Sequence, residues 1–248
     1  MPVKRKNELA IAKKGAIKMS KVTYKLEKVD GRFYFNDGTK YALIDTGYGR
    51  SVSIDGEIGP FKVSHCDKDN LHAFNPTFMR DGQRIGAILC PLDGFSCLMK
   101  GDSVTIDDDA RELPGHEWFL PFAVPGLPLL ECKVDGKTKR LFFDSGMRLP
   151  VLDDDSLILG KEKLGTILEW IGPLGGLAEA PYYKATFDFP CGFRFDGHLE
   201  HDCLHMFIEM IRKSIPLDGF LGIEFFKRHD LFISAIKGKS GLAIIRRQ

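Results

Sequence analysis

Two short segments of this 248-residue chain carry the residue types best suited to chemistry, Asp45-Thr46-Gly47 and Asp144-Ser145-Gly146. Each is an aspartate that closes an apolar run and is followed by a small hydroxyl residue and a glycine. A carboxylate at the end of a hydrophobic strand is a costly place for an unpaired charge, so each aspartate calls for a partner. If the two segments pack face to face, Asp45 and Asp144 come within hydrogen-bond reach and cannot both ionise. One shared proton then lets one carboxylate act as base on a trapped water while the other, protonated, polarises a carbonyl oxygen. Thr46 and Ser145 are placed to hydrogen-bond across the pair, and Gly47 and Gly146 allow close backbone approach.

The elements that would position these turns are strands. The 26 Gly and 13 Pro separate short runs rich in β-branched and aromatic residues, which is a β-rich pattern. Helix signals are few. The strongest spans 201–213, where Leu204, Phe207, Ile208 and Ile211 repeat at helical spacing before Pro216, and a weaker one runs from Ser156 through Ile167.

The two aspartate segments belong to an internal repeat. Residues 36–47 and 134–146 each read as an Asp-Gly turn, an apolar strand and Asp-Thr/Ser-Gly, the turn being suited to a tight hairpin. Ile58-Gly59-Pro60-Phe61 recurs as Ile171-Gly172-Pro173-Leu174, and the pentapeptide at 91–95 recurs identically at 216–220. Residues 100–106 then parallel 228–233. The matches keep one chain order at steadily growing separation, as expected for two copies of a unit with the second enlarged by insertions, the 201–213 helix among them. This divides the chain into a basic amino-terminal arm (1–30), a first lobe with Asp45 (31–106), an acidic and proline-rich connector (107–129) and a second lobe with Asp144 (130–248).

The paired turns resemble those of the aspartic proteases, and residues 135–146 look most like the retropepsin-like branch. In that family an apolar-apolar-Gly motif passes behind the catalytic turn, and Phe220-Leu221-Gly222 matches it, with Phe95-Ser96-Cys97 in its place in the first copy. The resemblance implies a mostly β protein of two pseudo-twofold related lobes, acid-protease-like and of closed β-barrel type, with a few short helices. It implies an endopeptidase using an Asp45/Asp144 dyad, with Thr46, Gly47, Ser145 and Gly146 orienting it. The substrate is a peptide or protein, with no metal and no organic cofactor, and a monomer is favoured over a homodimer.

By the same resemblance a flap hairpin follows each catalytic turn, with Ile58 and Gly59 as candidates in the first lobe and Ile171, Gly172 and Gly175 in the second. Tyr48 and Met147 stand next to the catalytic turns, where the family usually places Ala, Ser or Thr. Loss of that hydroxyl predicts higher dyad pKa values and activity displaced toward mildly acidic or neutral pH. Two other readings stay open: a peptide-binding scaffold inactivated by Tyr48, Met147 and Cys97, and a protease formed by two second lobes of separate chains.

Composition excludes other classes. The net charge of +1 offers no global attraction to nucleic acid, and the basic arm (Lys4, Arg5, Lys6, Lys13, Lys14, Lys18, Lys21) has no interleaved aromatics for base stacking. It reads as a solubilising arm. No apolar run approaches a membrane span, and Leu9 to Ala12 is too short for a secretory h-region. The chain as written is therefore expected in the cytoplasm, or in the periplasm or outside the cell if a leader has been removed. Six irregularly spaced cysteines without a Cys-x-x-Cys pair read as buried free thiols. His198, His201, Cys203 and His205 read as a polar helix face rather than a metal site, since no partner motif accompanies them.

Overall fold

The computed structural model describes residues 21–247 apart from 30, 75–78, 81–82, 171–176 and 202–203. It is mostly β, with 49% strand against 10% helix. The first half contains β1 (Lys21–Val29), β2 (Arg32–Asn36), β3 (Tyr41–Ile44), β4 (Val52–Ser53), β5 (Glu57–Ile58), β6 (Phe61–Lys62) and β7 (Ser64–His65). Helix α1 (Lys68–Phe74) follows, then β8 (Met79–Arg80), β9 (Gln83–Arg84), β10 (Ala87–Leu89), β11 (Ser96–Lys100) and β12 (Ser103–Asp107). The second half contains β13 (Trp118–Pro121), β14 (Leu129–Val134), β15 (Lys137–Phe143), β16 (Val151–Leu152), β17 (Gly165–Trp170), β18 (Leu177–Asp188) and β19 (Arg194–His201). Helix α2 (His205–Arg212), β20 (Gly219–Leu221), β21 (His229–Ser234) and β22 (Gly241–Arg246) complete it.

Two large sheets result. One has 11 strands in the order β13-β22-β21-β11-β12-β1-β2-β3-β10-β4-β7, and the other seven in the order β14-β15-β20-β16-β19-β18-β17. In the second sheet β18 also pairs with β14 through Lys133↔Asp188 and Val134↔Phe187, so six of its strands form a near-closed ring. One pairing scheme occurs twice. β10 lies parallel to β3 and antiparallel to β4, which is parallel to β7; β20 lies parallel to β15 and antiparallel to β16, which is parallel to β19.

Local sequence explains the hairpin that delivers Asp144. Asp135 and Gly136 both adopt positive φ, 47° and 82°, the backbone of a two-residue turn that matches strand twist. β14 then alternates buried and exposed residues, as one buried face requires. Strand β15 ends at Phe143, immediately before Asp144. A single core, including Phe35, Ile44, Leu89, Phe143, Leu221 and Ile233, joins the inner faces of both sheets. Each half also has an outer apolar cluster under a helix: Tyr34, Leu43, Val52 and Ile88 with Leu71 of α1, and Leu129, Val151 and Phe220 with Ile208 of α2.

Several expectations are corrected. β1 pairs with both β12 and β2, so residues 21–29 are sheet rather than arm. The connector contains β13, paired with β22. Helix α2 starts at His205 because His198 and His201 belong to β19, and it holds the place between β19 and β20 that α1 holds between β7 and β10. It is thus not extra material of the second copy. The segment 156–167 is a 3-10 turn at Asp155–Leu157, then chain that turns at Gly160 (φ 77°) and enters β17. Among the described residues no helix is long and apolar enough to cross a membrane.

Candidate active site

The parallel pairings set the geometry of the two aspartates. Asp45 follows β3 and donates its backbone N–H to the Leu89 carbonyl at 2.9 Å, while Asp144 follows β15 and donates to the Leu221 carbonyl at 3.0 Å. The strand behind Asp45 is therefore Ile88-Leu89-Cys90, and the expected Phe95-Ser96-Cys97 is displaced from this role. Likewise the identical pentapeptides are not equivalent, since 91–95 follows β10 whereas Gly219 and Phe220 lie within β20. Residues 228–233 contain β21, which faces β11 rather than taking the place of β12.

Gly222 and Cys90 show why only one of these positions demands glycine. A Cβ on Gly222 would stand 2.6 Å from the Leu149 carbonyl oxygen and 2.8 Å from its nitrogen. In the first half a side chain fits. The Cys90 thiol lies 4.0 Å from the Thr46 carbonyl oxygen, and Ser51 Oγ bonds both the Cys90 N–H and its carbonyl, at 3.1 and 3.2 Å. Burial pushes the Cys90 thiol up to about 12, so it stays a neutral space-filler.

The two turns are laced together. Thr46 N–H donates to Ser145 Oγ at 3.0 Å, and Ser145 N–H donates to Thr46 Oγ1 at 3.0 Å. The same hydroxyls donate onward to the opposite strand, Thr46 to the Phe143 carbonyl at 2.8 Å and Ser145 to the Ile44 carbonyl at 3.0 Å. Both side chains are buried and fully bonded, and such hydrogen bonds in a water-excluded site fix geometry strongly. Each glycine lies against the opposite carboxyl: a Cβ on Gly47 would be 2.2 Å from Asp144 Oδ2, and one on Gly146 would be 2.7 Å from Asp45 Cγ. The carboxyl groups of Asp45 and Asp144 are in hydrogen-bond contact.

Their environments differ. Asp45 Oδ1 accepts two backbone N–H groups, from Gly47 at 2.8 Å and Tyr48 at 3.2 Å, whereas Asp144 Oδ1 accepts one, from Gly146 at 2.8 Å. Burial raises both pKa values, and the charge of Asp45 pushes Asp144 well above the ordinary carboxylate range. The extra backbone donor on Asp45 favours it as the ionised member and Asp144 as the protonated one.

This has a consequence for stability. The folded chain holds the Asp144 proton more tightly than the unfolded chain, so stability falls as pH rises from the unfolded value, about 3.9, through the folded one. Asp144→Asn, which cannot ionise, is expected to raise the thermal midpoint at pH 7 by about 2–4 °C for each kcal/mol relieved, and to give no gain at pH 3. Denaturation scans of both chains at the two pH values check it.

Other expected site residues lie elsewhere. The Tyr48 ring packs on the outer cluster of the first half and its hydroxyl contacts the Cys66 thiol. Met147 packs on the corresponding cluster of the second half. Ile58 is fully buried in the core, and Gly59 donates its N–H to Asp37 Oδ2 at 3.0 Å. Asp37 precedes β3 and Asp45 follows it, roughly 13 Å of strand away, so the β5–β6 turn is a structural corner and not a lid over the dyad. Ile171, Gly172 and Gly175 lie outside the described residues, in the segment between β17 and β18, which pair up to Trp170↔Leu177.

Two residues near the site carried no signal in the sequence. Arg32, which opens β2, is buried and donates Nε–H to the Gly146 carbonyl at 2.9 Å. Arg148, next after Met147, donates to the Leu168 carbonyl in β17 at 2.5 Å and tethers that hairpin to the Asp144 turn. The histidines of the weighed metal constellation are dispersed: His198 bonds Glu224 at 2.7 Å, His201 lies 3.2 Å from Asp155, and His205 pairs with Asp153, while Cys203 lies outside the described residues. Among the described residues no group of three or more His, Cys, Asp or Glu could hold a metal ion. No protein-family model and no curated protein matches this chain.

Proposed function

We propose that this chain is an aspartic endopeptidase, its two halves forming pseudo-twofold related lobes of acid-protease type, that hydrolyses peptide bonds with a water activated between Asp45 and Asp144. The observation that carries the reading is the reciprocal exchange between Thr46 and Ser145 that holds two carboxyl groups in contact at the ends of equivalent strands. The pseudo-twofold relation draws support from the strand order β13-β22-β21-β11-β12-β1, which is the same from either end when β11, β12 and β1 are matched to β21, β22 and β13.

The chemistry follows from the unequal environments. Asp45, ionised, takes a proton from water as the oxygen bonds to the peptide carbonyl carbon, and Asp144, protonated, gives its proton to the carbonyl oxygen. The tetrahedral diol then collapses. Asp45 returns its proton to the amide nitrogen as the C–N bond breaks, and a diol hydroxyl restores the proton on Asp144. Contact of Asp45 with Asp144 inside one chain favours a single-chain site over a dimer of second lobes. The scaffold reading draws on obstruction by Tyr48 or Met147, and both side chains pack against the outer apolar clusters.

Binding separates enzyme from scaffold. A peptide whose scissile amide is replaced by a non-hydrolysable hydroxyethylene group mimics the tetrahedral state, and the enzyme reading expects it to bind about a hundredfold or more tighter than the parent peptide. Calorimetric titration of both ligands at the same pH measures the ratio. Equal affinities in a folded chain would favour the scaffold.

A further inference from the structure

We infer that Arg32 is a positioning residue of the dyad, clamping the second catalytic turn from the first half and supplying the positive charge that lets the buried pair keep one negative charge. The inference deepens the proposed function and rests on it for its catalytic meaning.

Geometry carries the argument. Gly146 is fixed from three sides: its N–H is held by Asp144 Oδ1 at 2.8 Å, its Cα abuts the Asp45 carboxyl, and its carbonyl accepts Arg32 Nε–H at 2.9 Å. Arg32 thus touches a residue that contacts both carboxyls, as Gly47 does from the other turn. It reaches across from β2 although Thr46 and Ser145 already lace the two turns. An arginine this buried, with 9% of its surface exposed, is costly unless its charge is compensated, and the dyad is an anion within its field. Its attraction lowers the pKa of both aspartates, against the burial that raises them.

The β1 residue paired with Arg32 is the uncharged Val29, and Lys28 lies over the Phe33 ring at 5.3 Å. Arg148 stands beside the same turn, its side chain against Gly31, with its guanidinium engaged by Leu168. The Gly146 carbonyl contact is made by Arg32. The Tyr48 hydroxyl is directed to Cys66.

The test is the titration of the two aspartate carboxyls, followed by carbon-13 NMR in the full chain, for the native protein, Arg32→Met and Arg32→Lys. Loss of the guanidinium is expected to raise the lower ionisation of the pair by about one pH unit or more, and Arg32→Lys, which keeps the charge, to recover most of that shift. Where activity is measurable, the acid limb of the kcat/KM profile moves by the same amount. A folded Arg32→Met chain that titrates like the native one would overturn the inference, as would an Arg32→Lys chain that titrates like Arg32→Met. Should Arg32→Met not fold, the comparison of native with Arg32→Lys, together with Arg148→Met as a nearby charge deletion expected to shift the ionisation less, decides it. The titration does not depend on turnover. A shift in a chain that cleaves no peptide would retain the role of Arg32 and refute the peptidase reading instead.

Discussion

Asp45→Asn and Asp144→Asn are each expected to lower kcat/KM for peptide cleavage by about a thousandfold, the scale of losing a positioned acid or base. Asparagine keeps the shape of the side chain and can still accept the backbone N–H of Gly47 or Gly146, so the turns stay laced through Thr46 and Ser145. What it cannot do is share the proton. At Asp45 the substitution removes the base that takes a proton from water, and at Asp144 the acid that protonates the carbonyl oxygen. Because the pair acts as a unit, the double variant is expected to lose little more than either single one. Progress curves with one cleavable peptide, at matched concentrations of folded protein, measure all three.

Gly146→Ala is expected to cost about a hundredfold in kcat while leaving peptide binding within a few fold, because a misplacement near 1 Å at a reacting centre has that effect. The new methyl would stand 2.7 Å from both Cγ and Oδ2 of Asp45, closer than a Cβ can approach any heavy atom. Asp45 cannot simply swing aside, since its other oxygen is held by Gly47 and Tyr48. The carboxyls must part. Gly47→Ala should act similarly through Asp144, whose Oδ2 lies 2.2 Å from the added Cβ. Overpacking of this kind also destabilises by about 1–3 kcal/mol, so denaturation midpoints are to be measured beside the kinetics.

The short-range features of the site were legible in the sequence and the long-range ones were not. Asp135-Gly136 can make one kind of turn cheaply, so the β14–β15 hairpin and the placement of Asp144 at its end follow from local conformational preference. The cross-bonding of Thr46 with Ser145 follows from residue type once two equivalent turns are assumed to meet. The strand behind Asp45 was another matter. An identical pentapeptide at 91–95 and 216–220 pointed to Phe95-Ser96-Cys97, but a parallel strand is chosen by pairing with a remote partner, and Ile88 and Leu89 fill that partner's pleat. The side chains of Tyr48 and Met147 could not be aimed from sequence, because a residue just past a turn has no periodicity to assign its face. Arg32 opens the aromatic run Phe33-Tyr34-Phe35, where an arginine reads as an ordinary strand entry. Its burial depends on the second half lying against it.

The central claim is that one chain brings together two carboxyls to hydrolyse peptides, and it is tested most directly by offering the full chain an unstructured mixed-peptide library from pH 3 to 8 and sequencing the products by mass spectrometry. The account predicts new peptide termini from the native chain, with a bell-shaped pH dependence belonging to the pair, and none above background from Asp45→Asn or Asp144→Asn. Cleavage that survives either substitution, or a folded native chain silent across the whole range, would contradict it.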